Sequence, residues 1–219
     1  MGLGLGLKFN PKPNRARISK ELLKKMKDAG CQYICYGIES GNDDVLRNIK
    51  KGITREKASE VVRMTRDVGI DCTATFIIGS PTETFSRVQE TIEFAASLPL
   101  DSLNFYNLIP YPGTELYEYV SQHGHFLMDK DTYLEEVTSR MRKPVFETDD
   151  FPRRERLRAL SKAFSLARKK MMQHKFGKPL GTLLWLMVRF DPIYFAFFRF
   201  AWANKKGRTL YNWLKKGKP

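Results

Sequence analysis

The sequence has few cysteines, no long uninterrupted apolar run and almost no acidic residues in its last third. Three cysteines in 219 residues do not form a disulfide framework, so reduced thiols and a cytoplasmic location are expected. The first residues lack the basic region and apolar core of a signal peptide. The most apolar segment, 183–202, is interrupted by Arg189, Asp191, Pro192 and Arg199. It is therefore not predicted to cross a bilayer.

The positive charge is confined to one part of the chain. Residues 151–219 contain 18 Lys and Arg but only two acidic residues, Glu155 and Asp191, whereas residues 1–150 contain 20 basic and 22 acidic residues. The overall net charge of +14 therefore describes the C-terminal region and carries no information about the rest.

Three apolar segments, 32–39, 70–78 and 103–109, alternate with helical patterns that begin at Ser19, Thr54, Thr84 and Thr114. This alternation predicts a parallel sheet with helical crossovers, and the β-branched and apolar residues of 70–78, which are continuous rather than alternating, predict a sheet covered on both faces. Three strands are too few for a closed eight-stranded barrel or a comfortable open sheet. The array is therefore expected to be part of a larger domain.

Four short motifs occur in order along this array. They are Gly-Ile-Glu-Ser-Gly with the following Asn-Asp-Asp-Val-Leu (37–46), Lys-Gly (51–52), Gly-Ser-Pro-Thr-Glu (79–83) and Pro-Tyr-Pro-Gly-Thr-Glu-Leu-Tyr (110–117). Each motif is weak alone, but the ordered set resembles the second half of a radical SAM core domain, over roughly residues 17–120. The resemblance is closest to the group whose members often carry an upstream cobalamin-binding domain.

The resemblance implies an α/β fold: the last three βα units of a partial (β/α) barrel, followed by an α-helical C-terminal extension. It divides the chain into an irregular lead-in (1–17), the C-terminal half of the core (18–148) and a basic, aromatic helical extension (149–219). It also implies S-adenosylmethionine (SAM) and a 4Fe–4S cluster as cofactors and SAM-dependent radical chemistry on an organic substrate. Whether cobalamin takes part is left open.

The cysteines do not reproduce the Cys-x₃-Cys-x₂-Cys motif that holds the cluster in this family. Cys31 and Cys35 have the first spacing, but the third position is Ile38. Because a cluster needs converging thiolates, these cysteines and Cys72 are interpreted as structural, and no metal ligand or catalytic residue is predicted. The chain alone is expected to be inactive, as a gene fragment or as half of a split enzyme whose N-terminal half is a separate polypeptide.

Four residues are predicted to bind SAM by analogy with the family. Glu39 matches a position whose polar side chain meets the ribose or amino group, and Thr75 matches a ribose contact. Gly79 would allow close backbone approach to the adenosine, and Ile109 would offer an apolar wall to the adenine. Each has a structural alternative: a buried ion pair, a strand residue, a tight turn and a core residue, respectively.

Three interpretations apply to the basic region 151–219. Leu157, Leu160, Phe164, Ala167 and Met171 have helical spacing, which predicts an amphipathic helix packed on the barrel. The aromatic and basic residues also suit a peripheral module on an anionic membrane surface. Nucleic-acid binding is the least favoured, because large aliphatic residues accompany the aromatic ones. A non-catalytic protein that binds membranes through this region is the alternative function.

Overall fold

The computed structural model describes residues 18–137 and 142–188, together with Arg199. The predicted lead-in and most of the aromatic segment after 188 lie outside these residues. The elements, in chain order, are α1 (Lys20–Asp28), β1 (Tyr33–Glu39), α2 (Asp43–Asn48), α3 (Arg55–Asp67), β2 (Asp71–Ile78), α4 (Phe85–Ser97), β3 (Ser102–Asn107), α5 (Glu115–His123), β4 (Gly124–Phe126), α6 (Tyr133–Glu136), β5 (Phe146–Thr148), α7 (Arg153–Phe176) and α8 (Lys178–Val188).

The predicted parallel sheet is confirmed. Its three strands lie in the order β1-β2-β3, and β2 pairs in parallel with both neighbours. The first turns of α1, α3, α4 and α5 are each capped by a Ser or Thr hydroxyl that accepts a hydrogen bond from a backbone N–H three residues later. These caps are Ser19, Thr54, Thr84 and Thr114, as the sequence predicts. The helices therefore begin where local chemistry places them, and the crossovers carry successive strands in the same direction.

The prediction that both sheet faces are covered is wrong. Burial alternates along β1 and β3, and partners in the parallel register share a face. One face is apolar and buried, with Tyr36 donating or accepting a 2.8 Å hydrogen bond with Thr65 of α3. The opposite face is only partly covered and is mostly polar. The apolar run of β2 was misleading because Thr73, Thr75 and Ile77 belong to this second face.

A second core lies beyond the carboxyl end of β3. An antiparallel pair of short strands, β4 and β5, was not predicted from the sequence. Its residues pack with the segment after β3, which runs on past Asn107 without strand structure. The buried members of this core are Ile109, Val120, Tyr133, Val145 and Phe146.

The chain forms two units, which divide after Phe164, inside α7. In the first unit α7 buries Arg156, Leu160 and two alanines, Ala159 and Ala163, whereas Leu157 is exposed. The predicted apolar face of this helix is therefore rotated from the observed one. The buried face differs because it includes Arg156, whereas hydropathy alone would place an arginine on the solvent side of the helix.

The second unit, within its described part 165–188, is a helical hairpin of α7 and α8. Gly177 joins the helices with a φ of +81°, a left-handed conformation that favours glycine. A Cβ at Gly181 would lie 2.4 Å from the Met172 carbonyl oxygen, so the two helices approach closely there. None of the helices in the described part of the chain is long and apolar enough to span a membrane.

Candidate functional site

The partly covered face of the sheet is lined by polar side chains, and we call it the polar face. Cross-strand pairing aligns Cys35 with Thr73 and Thr73 with Ser102, and aligns Gly37 with Thr75 and Thr75 with Asn104. Because side chains at paired positions point to the same side, these residues form one continuous surface. Its members are Tyr33, Cys35, Gly37, Thr73, Thr75, Ile77, Ser102, Asn104 and Tyr106.

Hydrogen bonds connect part of the polar face. The Thr73 and Ser102 hydroxyls are 2.7 Å apart. Burial raises the pKa of the Cys35 thiol, the side-chain contact with Tyr33 opposes that shift, and the nearby Glu39 charge adds to it. Cys35 is therefore a neutral thiol at physiological pH, and the face offers neutral hydrogen-bonding groups rather than an activated nucleophile.

Glu39 ends β1 and faces a lysine. Its Oε1 accepts a 2.9 Å hydrogen bond from Lys51 Nζ, and the two side chains are 19% and 22% exposed. The residue has a φ of +74°, and the register between β1 and β2 shifts between Gly37 and Glu39. A Cβ at Gly37 would lie 2.8 Å from Glu39 Oε1. Gly37 therefore makes room for the ion pair, which is the structural alternative considered for Glu39.

Glu83 closes the loop at the carboxyl end of β2. Its Oε2 accepts hydrogen bonds from the backbone N–H groups of Gly79 (2.6 Å) and Ser80 (3.1 Å). The other oxygen, Oε1, is buried and accepts no hydrogen bond from the described residues. Burial raises the pKa of this carboxyl to about 7, against the opposing effects of the two N–H groups and of the Arg156 charge. Glu83 thus holds the loop in place and is poised to change charge near neutral pH.

Arg156 of α7 is the buried positive charge next to this loop. Its residue exposure is 2%, and its Nε donates a 2.8 Å hydrogen bond to the Phe151 carbonyl oxygen. Its guanidinium carbon lies 4.3 Å from the ring centre of Phe146 and 4.6 Å from that of Phe151. Burial lowers the pKa of Arg156 to about 10, and the Glu83 charge opposes that shift. The guanidinium stays charged at neutral pH.

Gly79 has a neighbour that the sequence did not suggest. It has a φ of +106°, and a Cβ there would lie 2.6 Å from Arg156 Nη1 and 3.6 Å from the Leu108 Cβ. The close approach that the glycine permits is thus to the Arg156 side chain. Its predicted approach to adenosine stays a prediction.

The other two predicted site residues lie in different surroundings. Thr75 is half-buried on the polar face, between Gly37 and Asn104. Ile109 is 7% exposed and packs in the second core, with Val120 among its neighbours. Glu39 and Gly79 therefore lie at the carboxyl ends of β1 and β2, and Thr75 lies three residues before the end of β2. Ile109 takes the core position considered as its alternative.

The cysteines do not fit an iron–sulfur cluster. Cys31 and Cys72 are buried, and Cys35 lies on the polar face. Burial strongly raises the pKa of Cys72, which opposes the thiolate that a cluster requires. Within 18–137 and 142–188, no three His, Cys, Asp or Glu side chains are grouped to hold a metal ion. The described residues thus supply no set of cluster ligands.

Lys51, Glu83 and Arg156 were missed as site residues. Glu83 had a detectable signal, since a carboxylate shortly after a strand-ending glycine can accept hydrogen bonds from the turn N–H groups. Lys51 belongs to the Lys-Gly motif at 51–52, but the motif does not indicate its contact with Glu39, and no local pattern marks Arg156. The polar face was missed because the threonines of β2 were read as part of a continuous β-branched and apolar run, and the register that places them beside the polar residues of β3 was not known.

Comparison with known proteins agrees with this architecture. The sequence model of the radical SAM superfamily matches residues 4–95, a little under half of the chain, and this part of the chain is similar to that superfamily. The solved structure of an N-terminally shortened Elp3 from Methanocaldococcus infernus is similar to this chain, with a TM-score of 0.50 and 17% sequence identity. The match covers 75% of this chain and 32% of the Elp3 chain. That likeness concerns the fold alone. The fold is α/β, a partial (β/α) barrel with a helical extension.

Several curated relatives are methyltransferases, and two of them illustrate the similarity. An uncharacterized methyltransferase from Pyrococcus horikoshii is 36% identical over 116 residues, which are 53% of this chain and 25% of that protein. The bacteriochlorophyllide d C-8(2)-methyltransferase of Chlorobaculum tepidum is 29% identical over 104 residues, 47% of this chain and 23% of that protein. The chain spans about a quarter of the length of the curated relatives it matches. The matched superfamily uses SAM and a 4Fe–4S cluster as cofactors.

Proposed function

We propose that this chain forms the SAM-facing C-terminal part of a radical SAM core and takes part in radical methylation of an organic substrate. The observation that carries the proposal is that Glu39 and Gly79 lie at the carboxyl ends of two paired parallel strands, with the Thr75 side chain on the polar face that leads to them. Ligands of α/β folds bind at this carboxyl edge. The methyltransferase relatives support methylation as the reaction type.

The residues at this edge have complementary roles in the proposal. Glu39 would accept hydrogen bonds from the SAM amino or ribose groups, because a carboxylate bound to one ammonium keeps further acceptor positions. Thr75 would offer its hydroxyl to the ribose, and the backbone near Gly79 would meet the adenosine. Glu83 and Arg156 would not contact SAM in this proposal; they fix the loop that contains Gly79. Ile109 would support the adenine site from the second core, in which its side chain packs.

A separate polypeptide segment with the Cys-x₃-Cys-x₂-Cys motif would complete the site. The cluster does not fit the three cysteines of this chain, so its ligands must come from elsewhere. Cobalamin is a further cofactor that the family resemblance suggests, and it would also be bound outside the described residues. The chain alone is accordingly expected to bind SAM weakly and to be inactive.

Chemical-shift mapping by NMR tests the SAM-facing role directly. Titration of the ¹⁵N-labelled chain with millimolar SAM should shift the amide signals of Thr75, Gly79 and Ser80 and leave those of α1 unchanged. Glu39→Gln should weaken these shifts, whereas Glu93→Gln, at an exposed position on α4, should not. Shifts confined to another surface, or equal shifts in both variants, would contradict the proposal.

A further inference from the structure

One face of α8 is apolar and exposed to solvent. Leu180, Leu183, Leu186 and Met187 are 50%, 55%, 47% and 62% exposed. At about 100° per residue, these four positions fall within an arc of about 120° on the helix. We call these four side chains the outer face of α8.

The opposite side of α8 packs on α7. Gly181 lies against the α7 backbone at Met172 and Gln173, and Thr182 Oγ1 accepts a 2.9 Å hydrogen bond from Gln173 Nε2. Trp185 Nε1 donates a 3.2 Å hydrogen bond to Ser165 Oγ. These contacts fix the rotation of α8, so the outer face points away from α7 as a consequence of the hairpin.

The hairpin is also strongly cationic. The sequence has no acidic residue between Glu155 and Asp191, and the described hairpin carries four lysines, Lys169, Lys170, Lys175 and Lys178, besides the buried Arg168. Burial lowers the pKa of Lys170, and the Lys178 and Lys169 charges lower it further. The lysines therefore repel one another, and an external anion placed among them would be stabilised.

We propose that the α7–α8 hairpin binds an anionic lipid surface, with the outer face of α8 in the headgroup–acyl boundary and the lysines at the headgroup phosphates. Four large apolar side chains on one exposed helix face match an interfacial helix. The net positive charge complements anionic headgroups, and lysine stems are long enough to run along the helix to them. A nucleic acid would satisfy the lysines but leave the aliphatic outer face in water.

Vesicle co-sedimentation of the full chain tests this proposal. The chain should sediment with vesicles of equal parts phosphatidylcholine and phosphatidylglycerol at least tenfold more than with phosphatidylcholine alone, and high salt should reduce binding. Leu183→Glu combined with Met187→Glu should lower binding about tenfold or more. Lys175→Gln and Lys178→Gln should each lower it about fivefold.

Matched substitutions on α1 provide the controls. Leu22 is 40% exposed, and Leu22→Glu should leave binding unchanged, as should Lys24→Gln with Lys25→Gln. Thermal melts show whether each variant is folded; should the double glutamate variant unfold, Leu180→Glu alone tests the same face. Failure to sediment at low ionic strength would overturn the proposal. So would equal loss in the α1 controls, or binding to a single-stranded oligonucleotide without binding to vesicles.

Discussion

The Arg156 guanidinium occupies the space beside Gly79 that a side chain at residue 79 would fill, with Nη1 2.6 Å from the position of a Cβ. This relationship joins α7 to the carboxyl end of β2, 77 positions earlier in the chain. A helix outside the parallel array thereby shapes the strand end at which the SAM site is proposed.

Gly79→Ala is expected to be strongly destabilising. The substitution combines strain at a φ of +106° with a collision against a buried guanidinium, so we expect a loss of about 3 kcal/mol or more in the free energy of unfolding. Gly113→Ala is the control, because Gly113 has a φ of +79° but open space around its Cβ, and it should cost about 1–2 kcal/mol. Urea unfolding measures both. Equal losses would show that the collision is relieved at no cost.

Arg156→Met should destabilise the chain by about 1–3 kcal/mol, because it removes the buried hydrogen bond to the Phe151 carbonyl oxygen and the positive charge near Glu83. Arg154→Met, at an exposed position of the same helix, should change stability by about 0.5 kcal/mol or less. A double-mutant cycle of Arg156→Met with Glu83→Gln isolates the coupling. Additive losses in urea unfolding would contradict an interaction between the two side chains.

Glu83 should make stability depend on pH in a defined window. Burial raises its pKa from 4.5 to about 7 in the folded chain, so between these values the folded state holds a proton that the unfolded state has lost. The protonated Glu83 therefore contributes its whole stabilisation below pH 4.5, and this stabilisation is lost as the pH rises through 7.

Glu83→Gln should remove this dependence. Relative to the parent chain, the variant should gain about 3 kcal/mol in the free energy of unfolding across the same window. Urea unfolding at a series of pH values measures the difference between the two proteins. The Glu60 side chain on α3 is about half exposed, so Glu60→Gln should show the same pH dependence of the free energy of unfolding as the parent chain. A constant difference for Glu83→Gln would show that the carboxyl titrates normally.

Lys51→Met should cost about 1–2 kcal/mol, because Glu39 is only 19% exposed and loses a charged hydrogen-bond donor. Lys57→Met breaks an ion pair whose side chains are 50% and 52% exposed, and it should cost about 0.5 kcal/mol or less. Urea midpoints compare the two variants. Similar small losses would indicate that the Glu39–Lys51 pair behaves as a surface contact.

Local chemistry explains which features were predictable from the sequence. Caps such as Ser19 and Thr84 act on N–H groups three residues away, so spacing alone locates the helix starts. The parallel order followed from the crossover lengths, and the family resemblance rested on motifs at the strand ends. Each of these signals is contained within a short segment of the chain.

The remaining features depend on contacts between distant segments. The polar face required the register of Thr75 with Gly37 and Asn104, and a single strand does not reveal it. The buried face of α7 is set by Arg156, whose charge indicates exposure unless its partner is known. Ile109 lies in the core formed with β4 and β5, two strands that were not foreseen, and its place beside the adenine stays a prediction.

Anaerobic reconstitution with iron and sulfide tests the central claim, that this chain provides a SAM-facing sheet but no ligands for the cluster. The isolated chain, freed of excess iron by gel filtration, should retain well under one iron per chain and show no charge-transfer absorption, because its thiols are buried or neutral. Cys31→Ser and Cys35→Ser should not change that value. A stable cluster with about four irons per chain, lost in either variant, would contradict the account.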